Sequence, residues 1–189
     1  MHDDALLQRI DRIESQLAVQ QLVSRYALAL DARDLDSLVL LFTDDVNCGR
    51  WGTGRDALRG FYDTILRNFY RSQHQLCGQV IELDPADPDR ATGTVYCRAE
   101  HEDRGKWVVM AICYFDTYAR RAGQWHFVRR EEQDWYATDI LERPAGPEFR
   151  QWPGRTDGKR SKLPHRFPTW APFWERGDAA VPAQLSSAP

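Results

Sequence analysis

A chain of 189 residues with 42% apolar and 12% aromatic side chains can bury one substantial core, and it is short for two domains. The net charge of −3 with dispersed positive residues excludes the basic stripe of a nucleic-acid-binding protein, and the apolar content excludes a disordered chain. No apolar run reaches the roughly 18 residues of a membrane span.

In chain order, the first predicted element is a helix from Ala5 to about Leu30. Its apolar residues recur at helical spacing: Leu6, Ile10, Ile13, Leu17, Val19, Leu22, Val23, Tyr26, Ala27 and Leu30. Ala32-Arg33-Asp34 reads as a corner, Leu35 to Phe42 as a short second helix, and Asp44 to Cys48 as a short strand. Gly49, Gly52 and Gly54 mark a loop, after which Asp56 to about Tyr70 is helical again. Beyond Tyr70 the period changes. Gln73–Leu83, Ala91–Glu102, Lys106–Arg120 and Gln124 to about Tyr136 read as four long strands separated by Asp84-Pro85 to Pro88-Asp89, Asp103-Arg104-Gly105 and Arg121-Ala122-Gly123. Short turns between long strands imply an antiparallel meander, and helices followed by strands place the chain in the α+β class. The expected architecture is a cone-shaped barrel of curved antiparallel sheet with the N-terminal helices on its concave face, over residues 1–142.

From about Leu141 onward proline and aromatic residues dominate, among them Pro144, Trp152, Phe167, Trp170 and Trp174. Residues 143–189 therefore read as an arm without a core of its own, packed on the barrel or on a neighbouring subunit, with a disordered end after Ala179. Tryptophans are poor candidates for free exposure. The basic run Arg155 to Arg160 sits in this region and reads as a solvated loop. The start Met1-His2-Asp3-Asp4 has no secretory-leader pattern, and Cys48, Cys77, Cys97 and Cys113 form no CxxC pair. The expectation is a reduced, cytoplasmic protein without a structural zinc site.

Strand alternation sorts the titratable residues. His74 shares a predicted face with Leu76, Gly78 and Val80, and His101 with Val95, Cys97 and Ala99, so both histidines point toward an apolar interior. Asp31 ends the long helix at the edge of its apolar face, where a carboxylate opposes the helix dipole. Such an acid is either a water-exposed turn residue or a functional one. If Asp31 reaches the interior it holds one nitrogen of His74 and leaves the other as a general base. Tyr26, on the same helix face, is placed to donate a hydrogen bond to a substrate oxygen. On the strand pattern alone, each histidine reads as a satisfied core residue before a catalytic one. His2, His126 and His165 receive no role.

The segments Gln20-Gln21-Leu22-Val23-Ser24-Arg25-Tyr26-Ala27-Leu28-Ala29-Leu30-Asp31, Leu38-Val39-Leu40-Leu41-Phe42-Thr43-Asp44-Asp45-Val46, Ser72-Gln73-His74 and the closing hairpin Tyr118 to Phe127 together resemble the nuclear-transport-factor-2-like superfamily, in its SnoaL-like branch. Within it the chain is most similar to the scytalone dehydratase and hexachlorocyclohexane dehydrochlorinase group. That resemblance implies an aspartate–histidine dyad at Asp31 and His74 and a second active-site histidine at His101. It also implies a homo-oligomer, trimer or dimer. The chain departs from the pattern at Leu30, where a tyrosine is expected, at Tyr26, where the dehydrochlorinases carry lysine, and at Tyr114, where an asparagine is expected. The base is carried over, whereas the groups that polarise the substrate are not.

The reading that combines these observations is a cofactor-independent lyase of dehydratase type. His74 removes a proton and His101, Tyr26 or Tyr114 assists the leaving oxygen. Trp51, Phe61, Leu76, Val95, Ala99 and Tyr114 form the wall for an apolar ring-containing substrate. An isomerase or polyketide cyclase uses the same base. A two-histidine-one-carboxylate metal centre and a non-catalytic binding or assembly subunit are the alternatives from other classes. The last predicts Asp31 and His74 too far apart to interact.

Overall fold

The computed structural model describes residues 2–144, 163, 164 and 166–175. The expected tail beyond Ala179, the run Arg155 to Arg160 and His165 lie outside the described residues. Helix α1 spans His2–Ala32, α2 Leu35–Leu40 and α3 Arg55–Leu66. They precede strands β1 (Ser72–Leu83), β2 (Arg90–Asp103), β3 (Lys106–Arg121) and β4 (Gln124–Asp139), and a short helix α4 (Trp170–Glu175) follows. The strands form one antiparallel sheet in the order β1-β2-β3-β4. The sheet is curved but does not close, so the expected barrel is an open cone with α1 laid against both β1 and β4.

Neither glycine nor proline interrupts α1, and Asp3 and Asp4 occupy its first turn, where the helix dipole favours acids. It stops at Arg33, whose φ of 60° is left-handed. The N–H groups of Arg33 and Asp34 then close back on the carbonyls of Leu30 (3.1 Å) and Ala29 (2.9 Å). Asp34 in turn caps α2 by accepting the Ser37 N–H at 3.0 Å. In the hairpin turns Arg104-Gly105 (φ 52° and 78°) and Ala122-Gly123 (φ 50° and 78°) both central residues are left-handed, the geometry that matches strand twist.

Two local expectations fail. Residues 44–48 form turns with a single bridge between Asn47 and Thr53 in place of a strand, because the loop glycines fold the segment back on itself. Helix α3 ends at Leu66, and the chain from Arg67 turns so that the Tyr70 N–H reaches the Glu102 carbonyl at 3.1 Å.

A third expectation fails on β1. The register shifts between Leu76 and Gly78, leaving Cys77 as an extra residue. A bulge of one residue reverses the alternation beyond it. Val80 is therefore 63% exposed on the outer face and not beside His74. Gln79, Ile81 and Leu83 turn inward in its place.

The core lies between the helices and the concave face, where Val19, Val23, Leu38 and Tyr62 pack with Val95, Ile112 and Phe127. On the opposite face Phe167 rests 6.1 Å from Phe115 and 6.0 Å from Trp135. Trp170 meets Trp135 edge-on at 6.3 Å.

Candidate active site

Asp31 lies in the last turn of α1, and β1 begins opposite it. Its Oδ2 accepts the backbone N–H of His74 at 2.8 Å, its Oδ1 lies 2.7 Å from His74 Nδ1, and the Ser72 hydroxyl donates to Oδ1 at 3.3 Å. The His74 side chain is 8% exposed and that of Asp31 25%. Burial by itself raises the Asp31 pKa, but the hydrogen bonds and charge of His74, with Ser72, outweigh it and hold the carboxyl below its ordinary value. An ionised carboxylate at Nδ1 requires that nitrogen to carry the proton, which leaves Nε2 of a neutral ring as the acceptor.

The helix end that bears this acid is secured by Arg33. Its Nη1 donates to the Leu30 carbonyl at 2.7 Å and to Ser72 Oγ at 2.8 Å. Ser72 therefore links Arg33 to Asp31. Neither residue figured in the sequence reading as a site residue. Ser72 had a visible signal, being two positions before His74 and on the same strand face, whereas the left-handed conformation of Arg33 had none.

His101, on the inner face of β2, stands 5.7 Å from His74 with the rings nearly perpendicular, and 4.7 Å from Phe69. Burial, and next the positive potential of His74, push its pKa down to about 4, so the ring is neutral near pH 7. The other expected site residues are distributed. Val95 and Ala99 are fully buried on the same face of β2 as His101, Ala99 two residues from it and Val95 six, and Tyr114 is nearly so on β3. Leu76 faces inward opposite Cys97 and is partly exposed. Trp51 and Phe61 pack edge-on at 5.9 Å. The Tyr26 hydroxyl lies 3.2 Å from that of Tyr62, and burial pushes its pKa up to about 12.

A second polar cluster, absent from the sequence reading, sits beneath Tyr26. Arg130 donates twice to Asp116, through Nε at 2.9 Å and Nη2 at 2.6 Å, and Tyr118 donates to the same carboxylate at 2.7 Å. Both side chains of the ion pair are buried. The guanidinium lies 4.2 Å from the Tyr26 ring centroid, 4.3 Å from Tyr114 and 4.4 Å from Phe127. Asp116 outweighs the cost of burial and holds the Arg130 pKa above its ordinary value. Its Nη1 is buried without a hydrogen-bond partner among the described residues. Strict alternation from Phe127 predicts residue 129 inside. The register shift between Thr117 and Tyr118 makes Val128 the extra residue and turns Arg130 inward.

Among the described residues no group of three His, Cys, Asp or Glu side chains is arranged to hold a metal ion. Both Asp31 oxygens are already engaged by His74, so the two-histidine-one-carboxylate alternative does not fit this geometry. A groove of about 340 Å³ runs over the outer sheet face at Thr94 and Phe115, and another of about 580 Å³ flanks α1 at Leu7 and Arg120. Neither is lined by Asp31, His74 or His101; His74 pairs instead with the buried Ala99 on the inner face of β2.

Comparison with known proteins agrees with the fold. A family model described as a SnoaL-like domain matches residues 11–131. The gamma-hexachlorocyclohexane dehydrochlorinase of Sphingobium indicum is 26% identical over 136 residues, which cover 69% of this chain and 87% of that one. A scytalone dehydratase-like structure from Novosphingobium aromaticivorans superposes with a TM-score of 0.60 at 26% identity, covering 79% of this chain and 99% of the other. The LinA-type3 hexachlorocyclohexane dehydrochlorinase from Novosphingobium barchaimii does so at 0.63 and 20% identity, over 74% and 99%.

Proposed function

This chain belongs to the SnoaL-like domain family, and we propose that it is a lyase of dehydratase type acting on a small, ring-containing apolar molecule. His74 Nε2 takes a proton from a carbon α to a carbonyl or at an activated ring position. The C–H electron pair forms the new double bond, and the leaving group at the neighbouring carbon departs with the bonding pair. Asp31 keeps the His74 ring in the tautomer that accepts at Nε2 and stabilises the imidazolium that results. Neutral His101 donates a hydrogen bond to the departing oxygen and keeps its own proton. The proton taken up by His74 neutralises the released hydroxide, so that water leaves and His74 returns to its neutral form. Residues 1–142 form the catalytic unit in this reading, and 143–189 an appended arm.

The observation that carries the reading is the two-point attachment of Asp31 to His74, through the ring nitrogen at 2.7 Å and the backbone N–H at 2.8 Å. A non-catalytic binding or assembly subunit predicts these two residues apart, and their contact favours the enzyme over it. The dehydratase and dehydrochlorinase relatives support an enzyme in the lyase or isomerase range.

Two measurements test it. Imidazole ¹⁵N spectra of the wild type should show His74 protonated at Nδ1, and Asp31→Asn should abolish that preference. A panel of cyclic β-hydroxy and β-halo ketones, followed by absorbance of the conjugated product, should yield turnover that falls at least about 10²-fold in His74→Ala. Turnover unchanged in His74→Ala would defeat the proposal. Conversion of ring ketones to isomers without loss of a leaving group would favour an isomerase with the same base.

A further inference from the structure

Helix α1 is apolar on two opposite sides. One side packs on the sheet through Val19, Leu22, Val23 and Tyr26. The other carries Leu6, Ile10, Ile13 and Leu17, each 42–57% exposed. Their spacing of four, three and four residues is the a/d seam of a heptad repeat, which suits a partner helix and not a small molecule. Leu6 and Ile13 take d positions, and Ile10 and Leu17 take a positions. Gln20 and Ser24 occupy the next d and a, so the seam stops after two heptads.

We propose that this seam pairs with the same helix of a second copy of the chain, parallel and in register. The flanking charges decide the occupant and its direction. Arg9 stands at g and Glu14 at the following e, so a parallel pair sets Arg9 of each protomer against Glu14 of the partner subunit, twice over. Gln16 and Gln21 meet in the same way. Arg9 and Glu14 are exposed and form no ion pair within their own chain among the described residues. An antiparallel pair would set Arg9 against Gln16 and Leu7 against Glu14, leaving the complementary charges unmatched. On the sheet side of α1, Asp11 and Ser15 accept hydrogen bonds from Arg120 of the same chain, so these polar side chains point away from the seam. The two sheets then lie on the outer flanks of the helix pair. A seam this short belongs to the small, weaker class of interfaces, with a dissociation constant in the micromolar range.

Analytical ultracentrifugation of the full chain across the micromolar range tests this. Ile10→Glu combined with Ile13→Glu should halve the sedimenting mass without changing the far-ultraviolet circular dichroism or the melting temperature. Arg9→Glu and Glu14→Arg should each weaken association roughly tenfold, and the two together should restore it. A wild type that stays monomeric over the whole range overturns the proposal. So does an assembly indifferent to the seam variant, since another face then holds it. A seam variant that lowers the melting temperature of a monomer assigns the stripe to a segment of its own chain. Charge variants without effect, beside a seam variant that dissociates, rule out the parallel register.

Discussion

Asp31 is placed against its local preference, since an acid at a helix C-terminus opposes the dipole by about 0.3–1 kcal/mol. Three hydrogen bonds, from Ser72 and twice from His74, together with the nearby Arg33, offset that cost. Ser72→Ala is expected to reduce turnover by less than Asp31→Asn does, because the ring contact remains; steady-state kinetics of the pair checks the order. His101 leads to a pH prediction. Its folded pKa lies at about 4 against an unfolded value near 6.5. Between those values the unfolded chain binds a proton that the folded one refuses, so stability is full above about pH 6.5 and declines as pH falls toward 4. The Asp31 carboxyl, held below its ordinary value, acts in the same direction at the acid end of that window. Urea unfolding of the wild type should lose stability across the window. His101→Gln should remove on the order of 2–3 kcal/mol of that loss. An unaltered slope in the variant would show that His101 takes up its proton without unfolding.

At the scale of elements, the bulges decide what faces inward. The shift at Cys77 turns Val80 out, and the shift at Val128 turns Arg130 in beside Asp116. Removing one member of that buried pair leaves an uncompensated charge, so Asp116→Ala is expected to cost about 3–5 kcal/mol, and Arg130→Met in the same chain to recover most of it. Equilibrium urea denaturation of the single and double variants measures both. Gly93 on β2 faces the same cluster. A Cβ built there falls 2.9 Å from Ile81 Cδ1 and from Cε2 and the hydroxyl of Tyr118. Gly93→Ala should therefore lower stability by about 1–3 kcal/mol through displacement of Tyr118, whereas Gly60→Ala, inside α3 where a Cβ meets nothing, should raise it by about 1 kcal/mol.

Over the whole molecule, an open sheet has two faces to cover. The helices cover one, and Phe167 and Trp170 lie over the other at Phe115 and Trp135. This explains why β3 is apolar on both faces. Phe167→Ala is expected to cost about 1–2 kcal/mol and to shift tryptophan emission to the red as Trp135 gains water; an unshifted spectrum would mean that the segment leaves that face in solution. No helix among the described residues is long and apolar enough to cross a membrane.

Helix period, strand period and the turn pairs Arg104-Gly105 and Ala122-Gly123 are local properties, and the sequence by itself determined the element order, the meander and the inward face of His101 through them. The contact between Asp31 and His74, 43 positions apart, was not local. The residues and the family resemblance made it an expectation, but only the curvature that brings the start of β1 to the end of α1 decided the distance. The tertiary structure alone placed Val80 outside and Arg130 inside. A one-residue bulge leaves composition and periodicity almost unchanged while it reverses every side chain beyond it, and whether it forms depends on how the curved strands pack.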